Sequence, residues 1–264
     1  MKGLTVALAQ LNPKLRDVGG NLETVEQILT RGTDLDLAVF PELFLCGYTT
    51  RGVDDLALDL EGPEVARMSR LARENGTAAI FGLHERIPSG VANSAVCLDR
   101  RGNLSGSYRK THLFGDEREA FVAGDEFAIF TLDGIETGVM ICFDVEFPEV
   151  ARSLATAGVD LLVTISANMN PFGRDHAVFT TARALENGLP HLYVNQIGKG
   201  EAFTFAGGTT AVSADGERLA AASVTEDVVE LYLDPSASSE EKPKHLKPDY
   251  LKELRGPLPV RRAG

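Results

Sequence analysis

The chain is poor in cysteine, in positive charge and in long apolar runs, and each shortage removes a class of protein. Three cysteines in 264 residues are too few, and odd in number, for a disulfide framework, so a reducing, cytoplasmic setting is expected. Lys and Arg number 26 against 38 Asp and Glu, a formal net charge of −12. That balance argues against a nucleic-acid partner, which calls for a basic face. No apolar run reaches the roughly 18–20 residues that span a bilayer. Met1-Lys2-Gly3 runs straight into Leu4–Leu8, too short for a secretory signal and without a cleavage region, so no membrane association is expected. Two phosphate cradles are also missing: there is no G-x-x-x-x-G-K-S/T and no complete G-x-G-x-x-G. The five histidines show neither H-E-x-x-H nor paired Cys/His spacing, so no metal and no cofactor is expected.

What is present is an alternation of strand and helix signals. Leu4, Val6 and Leu8 alternate as in a half-buried strand, and 21–29 reads as a helix. Strands are expected at 35–40, 77–83, 91–98, 105–109, 127–132, 136–141, 159–165, 191–196, 209–213 and 228–233. Further helices are expected at 64–74 with Gly76 behind it, from Pro148 to Gly158, and at 174–187 with Gly188 as its stop. In that last helix Val178, Ala182 and Leu185 fall on one face. No internal repeat is visible. The pattern predicts an α/β layered protein, with residues 1–234 as one domain and 235–264 as an extension. From Glu240 onward seven basic residues stand against four acidic ones, a tail that either docks on a neighbouring surface or is solvated.

Three reactive side chains sit just past strand-like runs: Glu42 after Phe40-Pro41, Lys110 after Tyr108-Arg109, and Cys142 after Met140-Ile141. Strand ends are where sites collect in layered α/β folds. Cys142 lies between a buried-looking strand and a helix starting near Pro148, where backbone N–H groups and a helix dipole would favour thiolate. A buried structural thiol is the commoner fate for such a cysteine, and the one expected for Cys46 and Cys97. Glu42, partly buried, would have a raised pKa and serve as a general base; in a plain loop it would merely cap. Lys110 beside a thiolate would hold its charge and stabilise an oxyanion; otherwise it is a surface lysine. A Cys–His dyad with His112 or His176 stays open.

Taken together, Phe40-Pro41-Glu42-Leu43-Phe44-Leu45-Cys46-Gly47-Tyr48, Tyr108-Arg109-Lys110-Thr111-His112-Leu113-Phe114 and Gly138-Val139-Met140-Ile141-Cys142-Phe143-Asp144-Val145-Glu146-Phe147-Pro148-Glu149 resemble the Glu-Lys-Cys signature of the nitrilase (carbon–nitrogen hydrolase) superfamily. Ala167-Asn168-Met169 and 183–187 support it. The resemblance implies a four-layer α-β-β-α sandwich that pairs as a homodimer, with the C-terminal extension contacting the partner. It implies that Cys142 forms a thioester, that Glu42 moves protons, and that Lys110 and the Phe143 backbone N–H hold the oxyanion. A second glutamate is implied after the lysine motif. Glu117 is the favoured register, with Glu119 left as the alternative. Tyr48, Phe143 and Asn168 are the implied substrate contacts.

Phe143-Asp144 after the cysteine, in place of Trp-Glu, resembles the amidase-type branches, including aliphatic amidases and those of the 5-aminopentanamide type. Glu146 stands where an Arg would serve a substrate carboxylate, which weakens N-carbamoyl amino acid and ω-amidase readings. The expected activity is hydrolysis of a small, aliphatic amide to acid and ammonia. The alternatives are an N-carbamoyl amine or amino acid amidohydrolase or an ω-amidase of the same superfamily, an acyl transferase and, least favoured because all three signature residues are intact, a catalytically silent binding module.

Overall fold

Alternate residues of the first strand belong to two different cores, and this sets the architecture. In the computed structural model, which describes residues 3–31 and 34–235, Val6 and Leu8 join a cluster drawn from two sheets, whereas Ala7 and Ala9 pack beneath helices. A strand buried on both faces belongs to the inner layers of a stack.

β1 (Leu4–Gln10), β2 (Leu37–Val39), β3 (Ala78–Ile87), β4 (Gly90–Leu98) and β5 (Leu104–Arg109) lie side by side in that order in the first sheet. β6 (Ile129–Leu132), β7 (Ile135–Ile141), β8 (Leu161–Ser166) and β9 (His191–Asn195) begin the second. A two-stranded ribbon, β10 (Ile197–Lys199) and β11 (Thr204–Ala206), precedes β12 (Thr210–Val212) and β13 (Arg218–Ala221), which finish that sheet. β14 (Asp227–Leu233) then returns to the first sheet and pairs antiparallel with β1, from Gln10↔Asp227 to Leu4↔Leu233.

Helices α1 (Val18–Leu29) and α2 (Pro63–Asn75) cover the first sheet through Leu22, Val25 and Ile28 and through Val65, Met68 and Leu71. Those spacings of three and four place one apolar stripe on each helix. Burying each such aliphatic side chain contributes about 1.5–3 kcal/mol. After the one-turn α3 (Glu117–Ala120), α4 (Pro148–Thr156) and α5 (Gly173–Asn187) cover the second sheet. The layers are α-β-β-α, as expected.

The two sheets share a pairing pattern. Read as β14-β1-β2-β3-β4-β5 and β6-β7-β8-β9-β12-β13, each runs antiparallel, parallel, parallel, antiparallel, antiparallel. The sequence shows no repeat, but the topology is duplicated. Strand pairing needs only the apolar pattern, which many sequences satisfy.

The expected strands and the four long helices are all present, with ends shifted by a few residues. β10, β11, β13 and α3 were not expected. On α5 the face carrying Val178 and Leu185 is outward, these being 58% and 51% exposed among the described residues. The buried face is His176, Thr180, Arg183, Ala184 and Asn187. Hydrogen bonds satisfy part of that polar burial: Arg183 Nε donates to the Val145 carbonyl at 2.9 Å, Asn187 Nδ2 donates to the Arg183 carbonyl at 2.8 Å, and the Thr180 carbonyl lies 3.1 Å from His191 Nδ1. The C-terminal extension expected to contact a partner subunit lies outside the described residues beyond Pro235. No helix among the described residues is long and apolar enough to cross a membrane.

Candidate active site

Three strand ends deliver the three reactive side chains to one place between the sheets. Glu42 lies three residues past β2, Lys110 directly follows β5, and Cys142 directly follows β7. Glu42 is held there by a tight turn in which Leu43 has a φ of +49°. The turn lies flat on β3 because position 82 is glycine. A methyl group there would overlap the Leu43 nitrogen, and Gly82 N–H donates to the Pro41 carbonyl at 3.2 Å. Cys142 itself has a φ of +46°, a left-handed conformation uncommon for a side-chain-bearing residue. It aims the thiol out of the strand line into a five-residue 3-10 turn, Cys142–Glu146.

Lys110 is 1% exposed and sits between two buried carboxylates. Its Nζ donates to Glu42 Oε1 at 2.7 Å and to Glu117 Oε1 at 2.9 Å. Glu42 also accepts from Asn93 Nδ2 and, on its other oxygen, from the Ala167 N–H, both at 2.7 Å. Glu117 accepts from the Tyr48 hydroxyl at 2.9 Å and from the Phe114 N–H at 2.8 Å. Two carboxyl groups share one ammonium. Burial pushes the Glu42 carboxyl above its ordinary value; Lys110 opposes this and Glu117 adds to it. Burial alone would pull the Lys110 ammonium down, but Glu117 and Glu42 outweigh it and hold the group well above the ordinary lysine value.

Placement separates the two glutamates left open. Glu117 is buried against Lys110, whereas Glu119 is on the surface. Phe143 and Asn168 line a pocket of about 180 Å³ that opens beside Cys142. The Asn168 side-chain nitrogen is buried in that wall and meets no hydrogen-bond acceptor at ordinary distance among the described residues. Tyr48, expected as a substrate contact, is not among the residues lining that pocket; its hydroxyl donates to Glu117. Cys46 and Cys97 are buried structural thiols, and burial pushes Cys46 up to about 12.

The expectation of a resting thiolate is overturned. Burial and then the Glu42 charge raise the Cys142 thiol above its ordinary value, outweighing Lys110 and a hydrogen bond with Ser166. The 3-10 turn intervenes before α4, so the helix dipole begins at Pro148 and not at the sulfur. The two histidines considered for a dyad make their hydrogen bonds elsewhere. His112 Nδ1 lies 2.9 Å from Asp144 Oδ1 and the ring stacks on Phe147, while both nitrogens of His176 are engaged by Tyr193 and Glu146.

Asp144 was missed as a structural actor. Fully buried, it accepts from the Tyr108 and Thr111 hydroxyls at 2.8 and 3.0 Å, and from the His112 and Ile141 N–H groups, each at 3.0 Å. It thereby straps the Lys110 loop to the Cys142 turn. An acid two residues past the nucleophile, in an otherwise apolar stretch, was the signal available. We expect Asp144→Ala to lower the urea unfolding free energy by about 3 kcal/mol or more, because several buried donors lose their acceptor together. A change under about 1 kcal/mol would remove the strap from the account.

A buried Glu-Lys pair beside a cysteine at converging strand ends of an α-β-β-α sandwich is the arrangement that the resemblance to carbon–nitrogen hydrolases implied. The chain belongs to the carbon-nitrogen hydrolase family, whose model matches residues 5–240. Among its relatives are a hydrolase from the pqqF 5′ region of Pseudomonas protegens, 40% identical over 87% of this chain and 82% of that one, and an (R)-stereoselective amidase of a Pseudomonas species, 35% identical over 96% and 92%. A solved amidase mutant from a Nesterenkonia species superposes with a TM-score of 0.84 at 26% identity, covering 96% of this chain and 94% of that one. In that structure the active-site cysteine carries the acetamide moiety of fluoroacetamide. The protein is therefore a hydrolase of the nitrilase superfamily acting on carbon–nitrogen bonds, of amidase type.

Proposed function

We propose that the protein hydrolyses small aliphatic amides to the carboxylic acid and ammonia through a thioester on Cys142. The observation that carries this reading is the buried Glu42–Lys110–Glu117 cluster, whose members all act electrostatically on the Cys142 thiol. Glu42, made more basic by burial, takes the thiol proton as sulfur attacks the amide carbon. Two of the three Lys110 N–H donors are committed to Glu42 and Glu117, which leaves the third for the developing oxyanion. The Phe143 backbone N–H is the second donor. The Asn168 side-chain nitrogen, buried in the pocket wall, is a ready donor to the substrate. As the intermediate collapses, protonated Glu42 passes its proton to the leaving nitrogen and ammonia departs. Glu42 then deprotonates a water that attacks the thioester, and the acid leaves with the thiol restored.

The test is ammonia release from propanamide, butanamide and pentanamide, with equimolar acid formed. Added hydroxylamine separates the acyl-transfer alternative: a hydroxamate yield dominating over acid at low nucleophile would replace hydrolysis with transfer. The pH profile offers a second check. Glu42 must be ionised to accept the proton, and burial has moved its pKa upward. Activity therefore rises with pH along a limb lying above the ordinary carboxylate value, and Glu42→Gln loses at least ~10²-fold with that limb erased. A limb at or below the ordinary value would contradict Glu42 as the base.

A further inference from the structure

Glu42 and Lys110 act on the Cys142 thiol from strand ends of the first sheet, and a second set of polar side chains reaches it from the other sheet. Ser166 ends β8, Tyr193 is in the adjacent β9, His176 is near the start of α5, and Glu146 closes the 3-10 turn that begins at Cys142. Ser166, Tyr193 and His176 are 0%, 2% and 3% exposed. Glu146 lines the pocket beside the thiol and keeps 31% of its side chain exposed. Amide hydrolysis by Cys142, Glu42 and Lys110 uses none of the four.

The donors available fix the direction of each bond. Ser166 Oγ accepts from the Asn168 N–H and from the Tyr193 hydroxyl, both at 3.1 Å. Its two acceptor positions are then filled, and its one hydrogen is left for the hydrogen bond with the Cys142 sulfur. Tyr193 has given its hydrogen to Ser166, so the 2.9 Å contact with His176 Nδ1 is one in which Nδ1–H donates. Burial holds the Tyr193 phenol well above its ordinary value, which keeps it a donor. At the outer end a carboxylate only accepts, so the 3.3 Å contact between His176 Nε2 and Glu146 Oε1 contains a proton. From His176 inward, every hydrogen points toward the sulfur. Charged neighbours of this pair are Asp175, exposed beside it on α5, and Arg183, which donates to the Val145 and Glu146 carbonyls and to Glu186. Arg152 of α4 donates to the Glu186 carbonyl at 2.9 Å.

We propose that Glu146, His176, Tyr193 and Ser166 form a donor chain that stabilises the Cys142 thiolate as it forms. Ser166 touches the reacting sulfur; the other three are positioning residues that act through it. A negative sulfur strengthens the Ser166 bond, and each bond polarises the next, out to the proton held against Glu146. The thiol proton still passes to Glu42, and no hydrogen of the chain changes its owner. This role deepens the amidase reading and rests on Cys142 as the nucleophile.

The test is the pH profile of iodoacetamide alkylation at Cys142, read by intact-protein mass, alongside kcat and KM for butanamide. Tyr193→Phe removes the middle hydroxyl and should move the alkylation midpoint up by at least ~0.5 pH unit, about threefold in thiolate below the midpoint. The value of kcat should fall by that factor or more, and KM should change less. Glu146→Gln, at the pocket mouth, should move the midpoint the same way by a smaller amount, and it carries the test should Tyr193→Phe not fold. The double variant should match Tyr193→Phe alone, because a chain cut in the middle no longer feels its outer end. A midpoint unmoved in both variants, or shifts that add in the pair, would overturn the chain and leave the amidase reading standing. A shifted midpoint with no ammonia released by wild type would keep the chain and remove the amidase reading. Labelling undiminished in Cys142→Ala would overturn both.

Discussion

Cys142→Ala should lower ammonia release by about 10⁴-fold or more, the scale seen when a covalent nucleophile is removed and only oxyanion donors and binding remain. The fold should survive, because the change removes one buried sulfur and keeps the β-carbon that the +46° backbone already accommodates. Any stability cost is about that of a small cavity, of order 1–2 kcal/mol. The decisive measurement pairs the rate with intact-protein mass. Wild-type protein quenched in acid during turnover should carry the acyl group of the substrate on one thiol, and the variant none. The other two thiols cannot replace it: Cys46 and Cys97 are fully buried, and Cys46 is committed to the Leu56 carbonyl at 3.4 Å. Turnover that persists within tenfold, or an adduct that survives the substitution, would dismiss Cys142 as the nucleophile.

Lys110→Met should damage both activity and stability, and the two losses have separable causes. Activity should fall at least ~10²-fold because the oxyanion loses a charged donor. Stability should fall by about 3–5 kcal/mol near neutral pH because Glu42 and Glu117, 0% and 1% exposed, lose the cation they share. The sign of the pH dependence follows. Carboxyls stranded without a cation are favoured in the neutral form, so the folded variant binds protons more tightly than the unfolded chain. Its stability is greatest at low pH and is lost as pH rises through the raised carboxyl range. The gap between wild type and variant in urea midpoint should therefore be wider at pH 8 than at pH 5. An equal gap at both values, with activity within threefold of wild type, would mean that Lys110 neither neutralises the pair nor serves the oxyanion.

The positions of Glu42, Lys110 and Cys142 were legible because strand ends announce themselves: apolar runs stop, and a reactive side chain follows. Placement in space was not legible from those runs, since which strands pair is set by contacts between residues far apart. The buried face of α5 was not legible for a related reason. Periodicity measures apolar residues, and α5 buries His176, Thr180, Arg183 and Asn187, whose partners come from other elements. The thiolate expectation failed because a sequence shows the nearness of a helix start but not how deeply the sulfur is buried or that a carboxylate faces it. Tyr48 and Asp144 show the same limit. Each acts through a hydrogen bond to a residue 69 or 36 positions distant, Tyr48 to Glu117 and Asp144 to Tyr108.

β1 takes one of its two neighbours from the far end of the domain, with all seven of its residues in register with β14. On a ribosome this imposes a schedule. For the time needed to make the more than 200 residues between Gln10 and Asp227, β1 has β2 on one side and an open row of backbone donors and acceptors on the other. Such a row is a template for pairing with another nascent chain. Completion of the first sheet, and with it the layer that presents Glu42 and Lys110, waits on nearly the last strand to be synthesised. Any truncation that removes Asp227–Leu233 should therefore yield chains that associate through β1 before they can fold.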